Sequence, residues 1–181
     1  MDFMSRALAV GCAAAVVLLS CSKADLETER TLEDVASFIE ERPDSALTIL
    51  DTMDSFSLTT SALKARHSLL LAMARDKTTD SIIAPAVSWY RRHGSADEKL
   101  LMNYYRGRIA MNAGDYETAM RWFADGSRFS EKARNKVWSG RLCNAKFQVY
   151  QHLFDSASAI DAALRSADYY AAAGELSRYY D

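Results

Sequence analysis

The chain has 181 residues, a length that fits one domain, and 49% of its residues are apolar. Only 7 glycines and 2 prolines interrupt it, so helix is the favoured class and we expect an all-α fold. Its 22 basic and 24 acidic side chains give a net charge of −2, whereas proteins that bind nucleic acids usually carry a basic excess; we therefore expect no nucleic-acid partner.

The N-terminus is typical of an export signal. An apolar run of 13 residues, Ala7 to Leu19, is shorter than the ~20 residues that a membrane span needs. The letters LLSC at 18–21 follow, and they resemble the lipobox of bacterial lipoproteins, in which the cysteine is acylated and becomes the mature N-terminus. The resemblance implies a lipoprotein signal peptide over 1–20 and a lipid on Cys21. The alternative is a buried helix that happens to contain cysteine.

The same resemblance implies where the protein resides. Two or more acyl chains on Cys21 would anchor it stably to a membrane of the bacterial cell envelope. Position 22 is serine and lacks the acidic residue that retains some lipoproteins in the inner membrane, so the outer membrane is favoured. Residues 21–30 are mostly polar or charged, and we predict that they form a short tether.

Lipidation can be tested directly. If Cys21 is the acylated residue, the substitution Cys21→Ala should leave the precursor uncleaved and free of labelled fatty acid. The measurement is metabolic labelling with a palmitate analogue, followed by gel mobility of the precursor and mature forms. Normal processing of the variant would contradict the lipoprotein prediction.

The sequence lacks the common motifs of catalytic and metal-binding sites. Cys143 is the one cysteine left after Cys12 departs with the signal and Cys21 is acylated, so no internal disulfide is expected. Cys143 and His152 are nine residues apart, about 900° of helical rotation, and would lie on opposite faces of one helix. The three histidines show no ligand spacing, and no P-loop, HExxH or CxxC motif occurs. We expect no enzyme activity, no metal and no cofactor.

A small residue recurs along the chain at a nearly regular spacing. Alanines at intervals of 38, 35 and 38 residues each follow an aspartate, which favours a helix start. These alanines are Ala46, Ala84, Ala119 and Ala157, and the aspartates are Asp44, Asp80, Asp115 and Asp155. Twelve residues before each alanine, where two helices would cross, three of the four residues are small, namely Ala72, Gly107 and Ala145.

This period resembles the tetratricopeptide repeat, a helix–turn–helix unit. The best copy has Gly107, Ala119, Phe123 and Gly126, with the letters GDY between its helices. The resemblance covers about 31–181 and implies a right-handed solenoid of about four antiparallel helix pairs. The implied packing residues are Ala46, Ala72, Ala84, Gly107, Ala119, Ala145 and Ala157.

The expected helix bounds follow from turn signals and apolar spacing. The predicted pairs are 31–41 with 44–54, 60–76 with 80–93, 96–113 with 115–131, and 134–152 with 155–173. Gly94, Gly114 and Gly174 are placed where a helix C-cap is expected. Pro85 falls inside the fourth helix, and we expect a kink there. The last residues, ELSRYYD, look like the apolar start of a ninth helix.

The family resemblance also implies a binding surface, because the first helices of tetratricopeptide pairs line a concave face. Cations, methionines and tyrosines on that face would suit an extended or helical peptide with an acidic group or a free carboxylate. The predicted groove residues are Arg66, Met73, Lys77, Tyr104, Arg108, Met111, Asn112, Lys146 and Tyr150. The alternative is a solvated helix face with no ligand.

These observations predict a membrane-anchored lipoprotein whose helical array acts as a scaffold for a protein or peptide partner. One alternative is the N-terminal sensor array of a signalling or transcriptional regulator whose output domain lies beyond Asp181. Another is an enzyme with a dispersed site, for which clustered carboxylates in a pocket would be the first support.

Overall fold

The computed structural model describes residues 23–54, 56–75 and 77–175. These residues form eight helices and, within those ranges, no strand, which confirms the all-α prediction. Helix α1 is described over 23–38. The others are α2 Pro43–Thr52, α3 Ser61–Ala74, α4 Asp80–His93, α5 Ala96–Asn112, α6 Tyr116–Ser130, α7 Lys136–His152 and α8 Ser156–Ala172. None of the described helices is long and apolar enough to cross a membrane.

Seven of the eight helices begin and end within two residues of the predicted bounds, and α1 is the exception. Residues 23–30, expected to be a tether, are helical and continue into the helix expected from residue 31. Thr28 is buried there, and its hydroxyl donates to the carbonyl of Ser57 at 3.2 Å. The predicted signal peptide, the lipidation site Cys21 and the apolar residues after Glu175 lie outside the described residues.

Side chains placed just before the helices explain where several of them begin. The carboxylate of Asp115 accepts from the N–H of Thr118 at 3.0 Å, and that of Asp155 accepts from Ser158 at 3.1 Å. Hydrogen bonds from Thr118 lower the pKa of Asp115, and those from Ser158 lower the pKa of Asp155. Ser95 forms a full capping box before α5.

Three helices end in the same left-handed turn. Gly114, Phe154 and Gly174 have φ angles of 78°, 57° and 73°, and the N–H of the following residue donates to the carbonyl five residues back. The positive φ confirms the predicted C-cap role of Gly114 and Gly174. Gly94 is different: it follows α4 in extended backbone, with φ −71°, so no left-handed cap forms there.

Among the described residues, three clusters of buried apolar side chains succeed one another along the chain. The first joins α1, α2 and α3, the second α3, α4 and α5, and the third α5, α6 and α7. Met73 near the end of α3 packs against all three. Helices α3 with α4, α5 with α6, and α7 with α8 pack as pairs, and α3–α5 and α5–α7 are also in contact.

Two predicted packing residues need correction. Ala46, Ala72, Gly107, Ala119 and Ala145 are buried, whereas Ala84 and Ala157 are exposed. A buried alanine lies two residues further along in each case, Ala86 in α4 and Ala159 in α8. A shift of two positions along a helix rotates the side-chain direction by about 200°, so the predicted alanines lie on the solvent face and not on the packed face.

Candidate functional site

A cleft lies where the ends of α1 and α3 meet the middle of α5 and the first half of α7. We call it the central cleft, and its volume is about 220 Å³. It is lined by Ile39, Glu40, Pro43, Met73, Ala74, Arg75, Tyr105, Trp138 and Arg141. The cleft therefore combines apolar and aromatic walls with two guanidinium groups and one carboxylate.

An ion pair crosses the central cleft. Nη2 of Arg141 on α7 lies 2.7 Å from Oε2 of Glu40, which sits in the turn after α1, 101 residues earlier in the chain. The guanidinium also lies over the ring of Trp138, 4.2 Å from its centroid. The two charged side chains are about one-third exposed, so the pair adds little stability, but it holds Arg141 over the mouth of the cleft.

Arg75 is incompletely hydrogen-bonded. Its Nη2 donates to Oδ1 of Asp51 at 2.8 Å. Its Nε is buried and has no hydrogen-bond partner among the described residues. A buried donor left without an acceptor is costly, so an acceptor placed within reach of this N–H would be stabilised.

The two adjacent tyrosines of α5 have different environments. Tyr104 is 8% exposed and belongs to the core, with its ring edge-on to Trp138 at a centroid distance of 5.5 Å. Tyr105 is half-buried and lines the central cleft. Burial raises the pKa of Tyr105 far above its ordinary value, so its hydroxyl stays protonated and can donate a hydrogen bond.

Of the nine predicted groove residues, Met73 lines the central cleft. Tyr104 lies in the core, Arg66 pairs with Glu33 at 3.7 Å, and Met111 packs on the α5–α7 cluster. Lys77 and Asn112 are exposed, and Arg108, Lys146 and Tyr150 are partly buried without lining the cleft. Four lining residues were not predicted, although all lie on the predicted first helices and within two turns of a crossing residue. They are Arg75, Tyr105, Trp138 and Arg141.

Cys143 is buried, and two of the three histidines stack on aromatic rings. Burial raises the pKa of the Cys143 thiol, which disfavours the thiolate. The rings of His93 and His152 stack on Trp89 and Tyr116. Within the described ranges, no group of three or more histidine, cysteine, aspartate or glutamate side chains could hold a metal ion.

Comparison of the chain with protein-family models, with curated proteins and with solved structures finds no match.

Proposed function

We propose that the chain is a lipid-anchored binding protein of the bacterial cell envelope, whose helices form a tetratricopeptide-like solenoid. The contacts of α5 with both α3 and α7 support this arrangement, because they place the first helices of successive pairs side by side. The central cleft lies on these helices, where such arrays bind their partners. Cys21 supplies the anchor.

The ligand that fits the central cleft best is the end of a peptide chain bearing a free carboxylate. The observation that carries this proposal is the buried Nε of Arg75, which lacks an acceptor among the described residues. A carboxylate beside it would accept from Arg75 and would compete with Glu40 for Arg141. Guanidinium groups suit such an ion because they offer parallel N–H donors.

The volume of the cleft limits how much of the ligand it holds. At about 220 Å³ it is smaller than the ~300–1,000 Å³ of a typical small-molecule pocket. It therefore accommodates one terminal residue, whose side chain would pack on Met73 and Trp138. The rest of the partner would lie along the neighbouring helices.

A peptide-binding experiment tests this function. The full chain in detergent is offered two libraries of N-acetylated tetrapeptides, one ending in a free carboxylate and the other in an amide. Enriched peptides are identified by mass spectrometry and titrated by calorimetry. We expect the free-acid library to be enriched, and either Arg75→Gln or Arg141→Gln to weaken binding by about tenfold or more, since a hydrogen bond to a charged group contributes ~1.5–3 kcal/mol.

Two further variants sharpen the result. Glu40→Gln should strengthen binding by up to about fivefold, because it removes the carboxylate that competes for Arg141. Arg121→Gln is the matched control, since Arg121 is exposed on α6 and hydrogen-bonds within its own helix. Equal binding of free-acid and amide peptides, or equal affinities for the Arg141 and Arg121 variants, would contradict the proposal.

A further inference from the structure

A second cleft lies among α4, α5 and α6 and shares no lining residue with the central cleft. We call it the cationic cleft, and its volume is about 210 Å³. Its walls carry four cations and one acid, which are Arg91, Lys99, Arg106, Arg128 and Asp125. On a chain with a net charge of −2, this is a local concentration of positive charge.

The positive charges in the cationic cleft are poorly compensated by carboxylates. Arg128 pairs with Asp125 at 3.5 Å, three residues earlier on α6. In the part of the chain that the structure describes, no ion pair involves Arg91, Lys99 or Arg106. The cleft therefore has cationic groups available to an anion from outside the protein.

Aromatic rings hold two of the cations in place. The guanidinium carbon of Arg106 lies 3.3 Å from the centroid of the Trp122 ring, and Nζ of Lys99 lies 5.9 Å from that of Phe129. A stacked guanidinium keeps its N–H groups in its own plane, where they remain available as donors. The stacking therefore fixes Arg106 without using up its hydrogen-bonding capacity.

The surroundings of Arg106 disfavour its positive charge. Burial lowers the pKa of this guanidinium, and the positive charge of Arg91 lowers it further, whereas Asp80 and Asp125 raise it. The two acids thus offset only part of the cost of holding this cation in the cleft. A bound anion would remove more of that cost.

We propose that the cationic cleft is a binding site for a phosphate group. Three guanidinium groups and an ammonium match the several oxygens and the double charge of a phosphate monoester better than they match one carboxylate. A cavity of about 210 Å³ is several times the ~30 Å³ that one water molecule occupies, so it admits a phosphate and part of the group that carries it. That group could be a soluble phosphoester or the head of an anionic phospholipid.

Titration of the full chain in detergent with inorganic phosphate and with pyrophosphate tests the site. The readout is the indole N–H resonance of Trp122, distinguished from Trp89 and Trp138 by single Trp→Phe variants. We expect saturable shifts with a Kd of about 1 mM or tighter at low salt. The double variant Arg91→Gln/Lys99→Gln should weaken binding by about tenfold or more. The proposal is overturned if neither anion gives a saturable shift and vesicles that contain phosphatidic acid give none either.

The matched control is Arg92→Gln. Arg92 is exposed in the same last turn of α4, so its loss changes the net charge and the helix end as Arg91→Gln does, but Arg92 does not line the cleft. The affinity of the Arg92→Gln variant for phosphate should stay within about twofold of the wild-type affinity. An Arg92 variant as weak as the double variant would show a general charge effect and refute the site. If circular dichroism shows the double variant to be unfolded, Arg128→Gln replaces it, with the same expected weakening.

A membrane arm distinguishes the two sources of phosphate. The full chain is reconstituted into phosphatidylcholine vesicles with and without phosphatidic acid, and the Trp122 resonance is followed. A shift that requires phosphatidic acid and is lost in the double variant assigns the site to a lipid head group. A response to soluble anions alone assigns it to a soluble phosphoester.

Discussion

Replacing Gly107 with alanine should lower the free energy of unfolding by about 2 kcal/mol, although the same change on an exposed helix face would raise it by about 1 kcal/mol. A Cβ atom at this position would lie 2.2 Å from Cε1 and 2.5 Å from Cδ1 of Phe123. Phe123 is fully buried on α6, so its ring has no solvent-filled space to move into. The close approach of α5 and α6 at this point requires glycine.

Chemical denaturation of a double-mutant cycle checks this expectation. In a Phe123→Leu background the smaller side chain makes room, and Gly107→Ala should then cost less than about 0.5 kcal/mol. Gly140→Ala is the comparison, because a Cβ there would meet the ring of Tyr170 at 3.0 Å, and we expect a loss of less than about 1 kcal/mol. The same cost for Gly107→Ala in both backgrounds would show that Phe123 is not the obstacle.

The crossing of α5 and α6 at Gly107 was predictable from the sequence because it is local, although the prediction paired Gly107 with Ala119 and not with Phe123. Gly107, Ala119 and Phe123 belong to two helices joined by a short turn, and the turn has its own signals in Gly114 and Asp115. The helix bounds were predictable for the same reason. The turn at Phe154 carries no glycine, yet its backbone has φ 57° and the same hydrogen bond as the glycine turns. At that turn, the following Asp155 predicted the start of the next helix.

The register inside the second helices was harder to predict. Asp115 and Asp155 cap α6 and α8 from outside, whereas Asp80 is the first residue of α4. The alanines were chosen by their spacing of 35–38 residues along the chain, which is not constant between copies, and Ala84 and Ala157 were therefore chosen in error. The fourth residue of each second helix is buried in every pair, and these residues are Ala46, Ile83, Ala119 and Ala159.

The central cleft could not be predicted because it depends on how the helix pairs are rotated relative to one another. Glu40 and Arg141 are 101 residues apart in the chain, and whether they meet depends on the rotation of every helix pair between them. A local sequence pattern contains no information about these accumulated rotations. The one-residue difference between Tyr104 and Tyr105, about 100° on a helix, likewise separates a core residue from a cleft residue.

Ser68 on α3 occupies a position that only the folded structure explains. Its hydroxyl donates to the carbonyl of Ile82 at 2.6 Å and accepts from the N–H of Ala86 at 3.3 Å. In an undistorted helix these two groups bond to each other, four residues apart. They flank Pro85, whose ring clashes with the helical carbonyl four residues back, so a side chain from the neighbouring helix bonds to α4 on either side of the residue where the kink is predicted.

Ser68→Ala should therefore lower the free energy of unfolding by about 2 kcal/mol, because the partly buried Ile82 carbonyl and the buried Ala86 N–H lose this shared partner. In a Pro85→Ala background the cost should fall below about 1 kcal/mol, since the relaxed helix can close the bond between Ile82 and Ala86 directly. Ser166→Ala is the matched control: this buried hydroxyl donates to the carbonyl of Gly140 at 2.9 Å and receives no backbone N–H bond from the described residues, so its loss should cost less. Urea denaturation of the five proteins gives the comparison. Equal costs for Ser68→Ala with and without Pro85 would mean that the serine stabilises the α3–α4 contact independently of the proline.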